Sequence, residues 1–74
     1  MKLKNVKIGQ RVQYKGGISE RIAKGEKGTI VGYSAISDSP RVAWDDREDL
    51  RTDIEGYEGQ VWIVDYTELR KYKD

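Results

Sequence analysis

The chain has 74 residues, with 14 Lys or Arg against 13 Asp or Glu for a net charge of +1, and it contains neither cysteine nor histidine. So short a chain makes one domain with a small core; the missing cysteine excludes disulfides and thiolate metal sites, and the missing histidine removes the commonest general base and zinc ligand. No apolar run is long enough for a signal peptide or a membrane span, so a reducing, cytoplasmic setting without membrane contact is expected.

Helical periodicity is poor, because glycines interrupt nearly every candidate window. Strand signals are better. Arg11–Lys15 alternates, with Val12 and Tyr14 on one face, and Thr29–Ser34 is rich in β-formers. Arg41–Asp45 sets Val42 and Trp44 on one face and Ala43 on the other. Gln60–Val64 is the most apolar run, and Arg70–Tyr72 after Leu69 makes a last short strand. Turn residues separate them: Gly16-Gly17, then Ser37-Asp38-Ser39-Pro40, then an acidic stretch closing at Gly56 and Gly59. Five short strands with Gly-rich connections predict an all-β, strongly bent small barrel, with a long first loop and a long acidic loop before the fourth strand.

The segment KGEKGTIVGY, Lys24–Tyr33, tests that reading, since its glycines also suggest a phosphate loop. A phosphate loop of the Walker type needs Gly-Lys-Ser/Thr leading into a helix, whose amides converge on the anion. Here Gly28 is followed by Thr29, Glu26 sits inside the loop, and a strand follows. The glycines belong to a bending strand, where backbones approach closely.

GQRV at Gly9–Val12, GEKGTIVGY at Gly25–Tyr33, RVAWDD at Arg41–Asp46 and the ending VWIVDYTEL at Val61–Leu69 resemble the SH3-like small barrels of the KOW and Tudor type. The resemblance covers about residues 8–72, leaving a short basic N-terminal tail, and implies a fold shared by many functions. A narrower resemblance is to the type II plasmid-encoded dihydrofolate reductases. Gly9–Val12, Gly28–Tyr33 and Gly59–Val64 match that family in spacing. Its pore-lining Gln and Tyr fall on Trp62 and Val64, so the resemblance implies a shared fold without the reductase chemistry.

Charge is lopsided. Residues 1–27 hold eight Lys or Arg against Glu20 and Glu26, a balance of +6, whereas residues 28–59 hold three against eight acids, a balance of −5. The basic third (Lys4, Lys7, Arg11, Lys15, Arg21, Lys24, Lys27) is a candidate nucleic-acid surface, as the KOW resemblance also implies. The acidic stretch Asp45–Gly59 reads as a solvated loop, a partner-binding loop through Asp45, Asp46, Glu48 and Asp49, or a hard-cation site. Its spacing departs from that of a calcium loop and Arg47 and Arg51 interrupt it, so no metal is expected.

Catalysis has little to stand on: the serines have no histidine to activate them, and neither catalytic residues nor a cofactor are expected. If Val61 and Ile63 face the core, strand alternation turns Trp62 and Val64 outward, with Tyr33 as a further exposed aromatic. The expectation is therefore a non-enzymatic cytoplasmic binding module. It would act as a regulator or inhibitor through a protein partner, second copies of itself included, of the kind carried by phages and mobile elements. A KOW-type nucleic-acid binder is the first alternative and a reductase relative the second.

Overall fold

A computed structural model describes residues 7–34 and 39–72; the predicted turn at Ser37-Asp38 and the tail before Lys7 lie outside them. The described chain is all-β. It runs β1 (Arg11–Tyr14), β2 (Lys27–Tyr33), β3 (Pro40–Trp44), β4 (Val61–Ile63), one turn of 3-10 helix (Tyr66–Glu68) and β5 (Leu69–Lys71). All five predicted strands are present, in one antiparallel sheet of order β4-β3-β2-β1-β5. The arrangement is consistent with a small SH3-like barrel, with the sheet left open between β4 and β5.

Pairing explains where the strand ends differ from expectation. β2 begins at Lys27, two residues before Thr29, because Gln13 of β1 pairs with Lys27. Beyond Ile30 the β2–β3 register slips before Gly32, a bulge that bends the strand toward closure. Gly28 lies where β2 crosses β3: a Cβ there would meet the Ala43 carbonyl oxygen and Val42 Cγ1 at 2.7 Å. That close approach is why glycine stands at this point of the strand.

The core takes Val12 and Tyr14 from β1, Ile30 from β2, Val42 and Trp44 from β3, Leu69 from β5, and Ile22 and Val64 from connecting segments. Trp44 is fully buried, edge-on to the Tyr14 ring at 6.0 Å between centroids and 86° between planes. Its indole Nε1 donates to the Trp62 carbonyl oxygen at 3.3 Å, joining β3 to β4.

One expectation is inverted. Directly paired residues of an antiparallel sheet point to the same face, and Val42, a core residue, pairs with Trp62. Trp62 therefore lies on the core face, half-buried against the cluster, and Val64, two residues on, is buried within it. Val61 pairs with Ala43 on the opposite face, where both are buried. Val64 is thus a core residue and no part of an outward strip. Alternation had rightly put Trp62 and Val64 together; the register with β3 decides which way they face.

The acidic stretch is folded onto the sheet. Arg51 forms an isolated bridge with Val61, its N–H donating to the Val61 carbonyl at 3.0 Å and its carbonyl accepting the Val61 N–H at 3.2 Å. Leu50 N–H donates to the Gly59 carbonyl at 2.9 Å, and Gly59 holds a φ of 74°.

Two substitutions test this packing. Removing a buried aromatic side chain costs about 3–5 kcal/mol, a large share of the stability of so small a domain. Trp44→Ala and Gly28→Val are both expected to abolish the cooperative melting transition. A sharp transition near the wild-type temperature in either would contradict the packing at β2–β3.

Candidate functional site

A concavity of about 530 Å³ opens between the first loop and the corner where β4 turns toward β5. Ile18, Ser19, Glu20 and Arg21 form one wall; Trp62, Ile63, Val64, Asp65 and Glu68, with Ser39, form the other.

The first loop is held from below. Tyr14, at the end of β1, carries its hydroxyl into the core, where burial pushes the phenol above its ordinary pKa; an N–H bond from Ser19 opposes the rise and the Glu68 carboxylate adds to it. The hydroxyl donates to Glu68 Oε2 at 3.3 Å and accepts the Ser19 N–H at 3.1 Å. The same Oε2 accepts the Ile18 N–H at 2.7 Å. Glu68 lies so close to Gly17 that a side chain there would displace it. With its backbone pinned inward, Ile18 turns its side chain out and is 90% exposed at the groove's lip. Across the groove, the Arg21 guanidinium sits 5.5 Å from the centroid of the Trp62 ring, a cation–π contact. Asp65 caps the 3-10 turn, accepting the Thr67 N–H at 2.9 Å, and that bond lowers its carboxyl pKa.

The predicted site residues fall in several places. Trp62 lines the groove, Tyr33 is exposed at the end of β2, and Val64 supplies groove wall from within the core. Among the acids, Asp45 accepts both Nη atoms of Arg11, at 3.0 and 2.6 Å, and Asp49 accepts the Arg47 Nε and Nη2 at 2.9 and 3.1 Å. Arg47 also reaches both oxygens of Glu26, at 3.0 and 2.8 Å, and these carboxylates, Asp49 first, raise its pKa further. Asp53 lies between Arg41 and Arg51. Asp46 and Glu48 are exposed. Among the described residues no three acidic side chains converge as a metal site.

Lys4 lies outside the described residues. Lys7, Lys15 and Lys24 are exposed, Arg21 is seated on Trp62, Arg11 is paired with Asp45, and Lys27 Nζ donates to the Tyr72 hydroxyl at 2.8 Å. The fold does not keep the basic and acidic segments apart: Arg11–Asp45 and Glu26–Arg47 each join one to the other.

Sequence reasoning missed Ile18, Asp65 and Glu68. An isoleucine directly after Gly16-Gly17 in a charged loop was a readable sign of an exposed apolar contact. Glu68 carried none, because its bond to Ile18 spans 50 residues. Comparison with protein-family models, with curated proteins and with solved structures finds no match.

The Arg11–Asp45 pair carries a pH dependence. Hydrogen bonding from Arg11 lowers the Asp45 carboxyl below its usual range. A carboxyl that titrates lower folded than unfolded stabilises fully above the unfolded value of about 4, and that contribution is lost as pH falls through the folded value. With the Asp45 side chain 44% exposed, solvent screening limits the contribution to about 1 kcal/mol or less. Melting temperature is expected to drop below about pH 4, and to drop less over the same interval in Asp45→Asn. Superimposable acid profiles would mean that the pair contributes nothing.

Proposed function

We propose that this domain is a non-enzymatic binding module that holds an extended segment of a protein partner in the groove between the first loop and the β4–β5 corner. The observation that carries the reading is the Arg21 guanidinium on Trp62, beside an Ile18 that is 90% exposed. An apolar lip, a half-buried aromatic and the exposed carboxylates of Glu20 and Asp65 suit a segment that pairs an apolar side chain with a cationic one. Among the described residues the buried Ser19 hydroxyl on the groove wall has no hydrogen-bond partner and no base beside it, so acyl-transfer chemistry has no support there. Such a module regulates or inhibits by occupying its partner. The dihydrofolate reductase reading gains nothing from the site, where Trp62 stands half-buried beneath Arg21 in place of an amide.

A peptide-display selection followed by amide chemical-shift mapping tests the proposal. Enriched peptides are expected to carry an apolar residue near Lys or Arg and to shift amides within 18–21 and 62–65. Ile18→Asp, at an exposed position, is expected to keep the wild-type melting temperature and to lose tenfold or more in affinity, as truncating a central contact worth about 1.4 kcal/mol does. Enriched peptides whose shifts map elsewhere on the domain would overturn the reading.

A further inference from the structure

The described cations differ in what holds them. Arg11, Arg41, Arg47 and Arg51 are all salt-bridged to carboxylates. Among the described residues Lys15, Lys24, Lys27 and Arg70 have no salt bridge and gather around Gln13 of β1; Lys7, Arg21 and Lys71 have none either and lie apart from that group. Gln13 pairs with Lys27 of β2 on one flank and with Arg70 of β5 on the other, which puts both cations on its own face of the sheet. Lys71 pairs with the core residue Val12 and so belongs to the opposite face, while the Lys24 stem lies against Gly16, next to Lys15.

Two of these cations are fixed in place by neutral groups. Gln13 Oε1 accepts from Arg70 Nε at 2.8 Å and also from Arg70 Nη2, while Gln13 Nε2 donates to the Gly25 carbonyl at 3.1 Å and so cannot turn away. Lys27 is held by the Tyr72 hydroxyl, with Nζ 4.3 Å from the ring centroid. An amide and a phenol set the positions without cancelling the charge. The nearby acids are committed elsewhere: Glu26 to Arg47 and the Ala23 N–H, Asp45 to Arg11, and Glu68 to Ile18 and Tyr14.

From this arrangement we infer that the outer face of β5–β1–β2 is a second binding surface, for the phosphodiester backbone of a nucleic acid. Strand spacing puts Arg70 and Lys27, on either side of β1, about 10 Å apart, so a run of phosphates can meet successive cations. An anionic membrane fits less well, because, of the exposed large apolar residues, Ile8, Ile18 and Tyr57 lie off these three strands, and Tyr33 is at the far end of β2 from Lys27, beyond the bulge. Contacts to phosphate alone carry no sequence information, so binding is expected to be indifferent to base sequence.

The test is fluorescence anisotropy with a labelled mixed-sequence duplex and the full chain, at 50 and 200 mM salt. Three to five phosphate contacts give a loss of affinity of roughly 40- to 500-fold between the two. The double variant Lys15→Glu/Lys24→Glu, at exposed positions with no salt bridge among the described residues, is expected to lose more than tenfold at 50 mM salt with unchanged melting. Lys71→Glu, on the opposite face of β5, is expected to change little. Four results would each overturn the inference: no binding at 50 mM salt, affinity independent of salt, equal losses in the two variants, or binding to phosphatidylserine vesicles but not to the duplex.

Discussion

A phenol buried in a protein core must find hydrogen-bond partners, since an unpaired one costs several times what a typical bond contributes. Tyr14 is packed edge-on to Trp44, and its hydroxyl meets that requirement through the Glu68 carboxylate and the Ser19 N–H. Both partners come from segments outside the sheet, so satisfying one hydroxyl draws the first loop and the 3-10 turn together over one end of the core. Glu68 then takes the Ile18 N–H as well, and Gly17 leaves room for the carboxylate. The groove is the space left beside this junction. Its walls are positioned by core packing rather than by the loop's own preferences.

The charge pattern has a related logic. Along the sequence the basic and acidic segments look like two ends of a dipole, but folding joins them through Arg11 on Asp45 and Arg47 on Glu26. These partly exposed pairs add little stability individually. Their larger effect is on what remains: with Asp45, Glu26 and Asp49 engaged, the lysines near β1 and the Arg70 of β5 keep no ion-pair partner among the described residues. The acidic stretch is tied to the sheet by its arginines and by the Arg51–Val61 bridge, with Asp46 and Glu48 left exposed.

How much of this was legible in the sequence follows from the range of each interaction. Val12 and Tyr14, or Val42 and Trp44, announce their strands because alternation is local, and all five strands were found with ends one or two residues adrift. The face of β4 was not legible. Val61 and Ile63 are as apolar as Trp62 and Val64, and only the pairing of Trp62 with Val42 distinguishes the two assignments. The groove was less legible still. Trp62 was recognised as informative, but Ile18 and Glu68 meet across 50 residues and Arg11 and Asp45 across 34, distances over which composition and periodicity are silent.

The Glu68 junction under the first loop can be measured directly by amide hydrogen exchange at Ile18 and Ser19. Both N–H groups point at the Tyr14–Glu68 pair, although Ile18 itself is among the most exposed side chains of the molecule. Slow exchange at both amides is expected in the wild-type chain, with protection lost at both in Glu68→Ala while the amides of β2 and β3 stay protected. Exchange at Ile18 as fast as in an unstructured peptide would contradict the junction, and with it the groove that depends on it.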